Sequence, residues 1–217
     1  MILGIFGAGG LGREVEIIAK KINAIENRWN EIVFVDDDES IMQVMKTKCD
    51  TFQNSISKYT QLEISIAIGE PSTREKVYKK CKDNNIPIAT LIHPGVYIDE
   101  TTRIGEGTVI CEGCTITSCV EFGVNCYIQP HAIVGHDIKI GNHCVISAGC
   151  QIGGANIIGD RTYIGFLGGT KQGLTIGKDV ICSGGAMVFK DLPDNVIAVG
   201  NPARIMKKND GKGVFHK

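Results

Sequence analysis

Counted in sixes from Ile98, the chain places Ile, Val or Phe at fourteen of sixteen positions: Ile98, Ile104, Ile110, Ile116, Phe122, Ile128, Val134, Ile140, Ile146, Ile152, Ile158, Ile164, Ile176 and Val188, with Thr170 and Cys182 as the exceptions. A chain that is 43% hydrophobic would put an apolar residue at about seven of them, so the period is not accidental. The next residue is glycine in eight of the hexads, as at Gly105, Gly123, Gly135 and Gly153, and the fifth is usually small or β-branched, as at Thr108, Cys114, Ala132 and Cys144. A period of six belongs neither to a helix nor to a plain strand, but to a coil of short flat faces with a turn after each. The spacing therefore predicts a parallel β-helix, with the first and fifth residues of each hexad pointing inward and the glycines easing the corners. Three hexads close a triangular coil of eighteen residues, giving about five coils with flat outer walls.

Residues 1–92 read as a separate module, with 93–217 left to the repeat and a tail. Ile2–Phe6 is a short apolar run that closes into Gly7-Ala8-Gly9-Gly10-Leu11-Gly12 and then a helical spacing of Val15, Ile18, Ala19 and Ile22. Further strands are expected at Ile32–Val35, at Ile64–Ile68 and near Ile86–Ile92, with a helix over Ser72–Asp83. Such alternation implies a small parallel sheet flanked by helices, half of a Rossmann fold. Gly7, Gly9 and Gly12 match G-x-G-x-x-G between a strand and a helix, where unpaired N–H groups can meet a phosphate. Asp36 and Asp37 end the second strand, where such folds bind a ribose or base. Some 90 residues is short of the roughly 150 of a full dinucleotide domain, which disfavours NAD against a nucleotide-sugar. The bland alternative is that the glycines merely pack helix on strand.

A net charge of −1 with no basic run argues against nucleic acid and anionic membrane as partners. The opening Met1–Phe6 lacks a charged leader region and is too short to span a bilayer, so a cytoplasmic, membrane-free protein is expected. Cys111-Glu-Gly-Cys114 has the form of a metal knuckle without a second ligand pair, and Cys114, Cys126, Cys144 and Cys150 fill the small fifth slot of the hexad, where packing explains them better than zinc. No metal is expected. His136 is third in its hexad, and His131 and His143 are fourth, so all three should face outward or lie at a corner. For His131 and His143 a solvated side chain is the simplest reading. His136 differs because Asp137 follows it, an adjacent carboxylate that strengthens the ring as a base.

These hexads, the glycine loop before them, Ile66-Ala-Ile-Gly69 followed by Arg74, Leu91-Ile-His-Pro94, Gly135-His-Asp137 and Gly200-Asn-Pro-Ala-Arg204 together resemble the bacterial sugar acyltransferases of the PglD-like, sialic-acid O-acetyltransferase family, along nearly the whole chain. The resemblance implies a left-handed β-helix and a homotrimer with active sites between subunits. It also implies transfer of acetyl from acetyl-CoA to a sugar, the acceptor in its relatives being a UDP-linked 4-amino-sugar. His136 then matches the catalytic base and Asp137 its acidic partner. Gly7, Ala8, Gly9, Asp36 and Asp37 match the nucleotide-holding loop and acidic pair, with Gly69 at the same edge. Gly154, Phe166 and Gly184 match acetyl-CoA contacts, and Gly200–Arg204 the segment that closes the coenzyme end. Two positions depart from the family: a second histidine nine residues after the base is Val145 here, and a histidine of the glycine loop is Leu11.

Chemically, an amine attacking a thioester needs a base and an oxyanion contact, the latter expected from N–H groups near Gly153-Gly154. Three alternatives stand beside N-acetylation: transfer to a hydroxyl; a metal-dependent hydratase of the carbonic-anhydrase type, with His131, His136 and His143 as ligands; and a non-catalytic scaffold that binds nucleotide-sugar.

Overall fold

A computed structural model of the chain describes residues 1–211 and 213–215. The N-terminal module is a five-stranded sheet with the order β3-β4-β2-β1-β5. Its strands are β1 (Ile2–Phe6), β2 (Glu31–Val35), β3 (Gln43–Val44), β4 (Thr47–Asp50) and β5 (Leu62–Ile66), and its helices are α1 (Gly10–Glu26), α2 (Phe52–Lys58) and α3 (Pro71–Asp83). Strands β4, β2, β1 and β5 run parallel, and β3 folds back on β4 as a short hairpin. The parallel alternation follows from apolar runs closed by helices. The hairpin and α2 have no clear periodic signal in the sequence.

Residues 103–188 wind into five coils whose two-residue rungs stack as three parallel sheets, making a triangular prism. The first wall carries Val109–Ile110, Tyr127–Ile128, Val145–Ile146, Tyr163–Ile164 and Ile181–Cys182, capped by Val196–Val199 and the antiparallel Arg204–Lys208. Thr115–Ile116, Ile133–Val134, Gln151–Ile152, Gly169–Thr170 and Met187–Val188 form the second. Arg103–Ile104, Glu121–Phe122, Lys139–Ile140, Ile157–Ile158 and Thr175–Ile176 form the third. From Thr108 to Val188 the first and fifth residues of every hexad are buried, as the spacing requires. The fifth-position cysteines are thiol donors to the adjoining coil: Sγ of Cys114, Cys126, Cys144 and Cys150 each lies 3.1 Å from a carbonyl oxygen fifteen residues on, the bond that Thr108 makes with its hydroxyl.

The corners work differently from the expectation. Every sixth residue from Gly107 to Gly185 has φ between 54° and 76°, and this turning position is the fourth of the hexad, filled by Asn125, His131, Asp137 and His143 as well as by glycine. The second-position glycines serve close stacking instead: a Cβ on Gly105 would lie 2.4 Å from the carbonyl oxygen of Gly123. Sequence reading also placed Leu91–Ile92 (β6) in the N-terminal sheet, but it pairs with Val109–Ile110 as the first rung of the prism. Only Ile88, bridged to Ile64, remains with the sheet.

The outward residues of the first wall are apolar and buried, namely Val109, Tyr127, Val145, Tyr163 and Ile181; the N-terminal module sits on this wall, and the C-terminal segment adds Phe215 against Tyr163 and lies beside Ile181. One hydrophobic cluster runs unbroken from β1 and α1 into the prism, while a second lies on the α2 and α3 side of the sheet. Arg74 locks the two parts together. Its guanidinium is fully buried and donates to the carbonyls of Ile66, Ile68 and Asn125 and to the Asn125 side chain. It faces no carboxylate there, and burial pulls its pKa down to about 10.

Candidate active site

His136 and Asp137 occupy the edge between the second and third walls, the edge opposite the wall that the N-terminal module covers. The left-handed turn at Asp137 (φ 57°) swings its carboxylate back onto the preceding ring, so that His136 Nδ1 and Asp137 Oδ2 are 2.7 Å apart. A carboxylate only accepts, so it fixes the proton on Nδ1 and leaves the Nε2 lone pair free to act as a base. One coil further, Gly154 lies beneath the ring: a Cβ there would fall 2.7 Å from Nε2 and 2.9 Å from Cε1. Glycine at 154 is thus the floor that the imidazole rests on. Gly153 has already given its N–H to Thr170, which narrows the expected oxyanion contact to Gly154.

The structure groups the predicted coenzyme residues on two edges. Phe166 and Gly184 stack on the edge between the first and second walls, where a Cβ on Gly184 would meet the Phe166 ring at 2.5 Å. Gly154 is with His136 on the other edge, so one chain does not bring the three together. The histidines are similarly spread. His131 is exposed on the first-to-second edge. His143, expected to be solvated, is instead buried on the first-to-third edge, its Nδ1 accepting from Asn125 Nδ2 at 3.0 Å and its ring packed edge-on to Tyr78 at 5.2 Å. The hexad position fixes how His143 leaves the prism, but α3 happens to cover that corner. Burial pulls its pKa down. These three histidines therefore stand on three separate edges, and among the described residues no group of His, Cys, Asp or Glu is arranged to hold a metal ion. Val145 is sealed in the interface with the N-terminal module, remote in kind from a polar catalytic position.

At the other end of the chemistry, Gly7, Ala8, Gly9, Asp36, Asp37 and Gly69 gather at the C-terminal ends of β1, β2 and β5. The glycines divide by cause. Gly7 needs its φ of 111° for the turn out of β1, where a Cβ would also fall 2.7 Å from the Ala67 carbonyl oxygen, and a Cβ on Gly12 would fall 2.0 Å from the Gly7 carbonyl oxygen, so Gly12 serves the packing of helix on strand. A Cβ on Gly9 would meet nothing within 4 Å, and Gly9 begins α1 with no side chain capping the helix. Asp36 is already committed in part: Oδ2 accepts from the Ala8 N–H at 2.9 Å and Oδ1 from the Asp38 N–H at 3.1 Å, holding the loop closed. Asp37 pairs at the surface with Lys80 at 2.7 Å. Leu11 lies close to Gly69.

Comparison with known proteins settles the family. Residues 3–81 match the PglD N-terminal domain, and residues 120–154 match the bacterial transferase hexapeptide repeat. Over 96% of this chain and 97% of the relative, the sequence is 31% identical to the GDP-perosamine N-acetyltransferase of Escherichia coli O157:H7. The chain belongs to the PglD-like hexapeptide acyltransferases. Among solved structures of this family, the acetyltransferase domain of PglB from Neisseria gonorrhoeae in complex with acetyl coenzyme A superposes with a TM-score of 0.87 at 26% identity, covering 94% of this chain and 98% of that one. PerB from Caulobacter crescentus, in complex with CoA and GDP-perosamine, gives 0.87 at 27% identity over 95% and 98%. The PglD-like module and the prism thus occur in the same order in these proteins, with a left-handed β-helix as the second part. No described helix is long and apolar enough to cross a membrane.

Proposed function

We propose that the protein transfers acetyl from acetyl-CoA to the amine of a nucleotide-linked amino-sugar in one direct step, with His136 as general base. The observation that carries this reading is the His136–Asp137 corner seated on Gly154, in a chain similar from end to end to a GDP-perosamine N-acetyltransferase. The amine attacks the thioester carbonyl while Nε2 takes up its proton. The oxyanion of the tetrahedral intermediate is met by the backbone at Gly154, and its collapse breaks the carbon–sulfur bond and releases CoA. A positioned base of this kind is worth about 10²–10⁴ in rate. Gly7, Ala8, Gly9, Asp36, Asp37 and Gly69 hold the nucleotide, and Phe166, Gly184 and Gly154 line the coenzyme path.

The nucleotide module covers the first wall and His136 lies on the edge farthest from it, so the site requires a second copy of the chain. A homotrimer with sites between subunits meets that need, and the uncovered second and third walls expose Ile133 and Ile157 on either side of the His136 edge. Relatives named for GDP-perosamine place GDP beside UDP among the nucleotides to be tried. His136→Ala should lower kcat at least a hundredfold with folding and assembly intact; near-normal turnover refutes the assignment. Thermal-shift screening with GDP- and UDP-linked amino-sugars plus acetyl-CoA identifies the acceptor, because binding to the native state raises its apparent stability. Acetyl found on a hydroxyl of the product would move the reading to O-acetylation.

A further inference from the structure

Beyond the prism the chain turns back on itself. After the rung Arg204–Lys208, Asn209 is tied by its N–H to the Asn195 carbonyl at 2.8 Å and by its side chain to the Asp179 carbonyl at 2.9 Å. Residues 213–215 then reach the loop that follows β5. The Val214 N–H donates to Glu70 Oε2 at 2.5 Å, and Gly213 adopts φ +92° where a Cβ would come within 2.7 Å of the same carboxylate oxygen. The Phe215 ring seats on Gly69, since a Cβ on Gly69 would be 3.1 Å and 3.3 Å from two of its atoms. Its far side meets Tyr163 edge-on, with centroids 5.8 Å apart at 84°. Three separate features, a charged hydrogen bond, a left-handed glycine and a ring in a glycine notch, thus fix this segment on the edge assigned to the nucleotide-sugar.

Folding alone does not account for the ring. Phe215 is 62% exposed, so most of its apolar surface is bare although its backbone is held. The bare side borders a cavity of about 400 Å³ that is also lined by Tyr163, Phe166, Ile181 and Gly184. That volume is in the range of small-molecule sites. Phe215 therefore stands between the Gly69 loop on one side and the residues of the coenzyme path on the other.

We propose that residues 213–215 are a strap over the nucleotide-sugar compartment, and that Phe215 is a positioning residue for the sugar-nucleotide. The inference rests on the assignment of the Gly69 edge to that substrate. A ligand that reaches Gly69 has to meet the ring, which shifts to lie against it. An aromatic contact of this size corresponds to about a three- to tenfold change in binding. Phe215→Ala should raise KM for the nucleotide amino-sugar by that factor, with kcat and KM for acetyl-CoA changed less than about twofold. Val214→Pro, which removes the N–H donor, should act in the same direction. Phe215→Trp supplies a reporter against the single buried Trp29, and its emission should respond to the nucleotide amino-sugar with half-saturation near KM. An unchanged KM in both variants, a rise confined to acetyl-CoA, or emission indifferent to saturating nucleotide-sugar overturns the strap. If the unaltered protein neither binds nor acetylates any nucleotide amino-sugar, the underlying site assignment fails and takes the strap with it; that outcome is told apart because it is read on the unaltered chain.

Discussion

Gly154→Ala is the sharpest perturbation the geometry offers, because it alters the support of the base without removing it. The new Cβ would be 2.7 Å from His136 Nε2, 2.9 Å from Cε1 and 3.0 Å from Cδ2. Carbon contacts are comfortable near 3.5 Å, so the ring must lift by roughly 0.8 Å (3.5 − 2.7). The imidazole is more than half exposed and can make that movement at small energetic cost. Gly154 has no left-handed φ, so alanine is conformationally compatible there and the fold should be about as stable or slightly more so. Catalysis is less tolerant, since a misplacement of about 1 Å is worth up to roughly 10²-fold in rate. Steady-state assay with acetyl-CoA and the nucleotide amino-sugar should show kcat down about ten- to a hundredfold, KM for the nucleotide amino-sugar nearly unchanged, and thermal midpoint within a few degrees of the unaltered protein. Wild-type kcat in a folded Gly154→Ala protein would refute the idea that the ring works from this seat. Loss of folding would refute the claim that it rests there loosely.

Three further outcomes follow from the same structure. Burial, with Arg74 and Arg161 nearby, lowers the pKa of His143 against the pull of Glu75 and Asp160, so as pH falls through the unfolded value of ~6.5 the unfolded chain takes up a proton more readily than the native chain; stability should fall as pH drops from 7.5 to 5.5, by at most about 1.4 kcal/mol per pH unit from this group, and His143→Asn should show a shallower dependence of stability on pH in denaturant titrations. Arg74→Met strips the donor from several buried carbonyls that join the module to the prism, and should destabilise by about 3 kcal/mol or more in urea, whereas a loss under about 1 kcal/mol would show the clamp to be dispensable. Cys119 alone among the nine cysteines is exposed, so iodoacetamide on the native protein should give a single adduct by mass spectrometry; fast labelling at Cys126 or Cys144 would contradict the sealed prism.

Much of this was legible because it is local or periodic. Ile, Val or Phe at nearly every sixth place announces the prism, since each residue repeats the same demand for burial against the next coil. His136 and Asp137 are adjacent, so a corner turn is enough to pair them and no distant contact has to be guessed. What the sequence hid depends on elements far apart in the chain. Asp36 closes the loop through Ala8, twenty-eight residues away, a tie that no local pattern signals. His143 has the hexad position of a solvated residue, and only the docking of α3 shows otherwise. Phe215 reaches Gly69 across the whole prism, with no pattern near it to signal the contact. The hairpin of β3 and β4 lacked a period because its strands are two and four residues long. The turning role went to the fourth hexad residue, which is chemically varied, whereas the conspicuous glycines are set by the closeness of neighbouring coils.

The most direct test of the account is complementation between two inactive chains. His136→Ala removes the base, and Gly9→Val puts a side chain at the start of α1 where a Cβ meets nothing within 4 Å. Each variant alone should be nearly inactive. If one subunit supplies the nucleotide module and its neighbour supplies His136, co-expression of the two in equal amounts should restore activity to about a quarter of the unaltered level, the fraction of sites that draw both intact parts from a random mixture. Mixed oligomers that stay as inactive as their parents would show that both parts serve within one chain, and the intersubunit site would have to be abandoned.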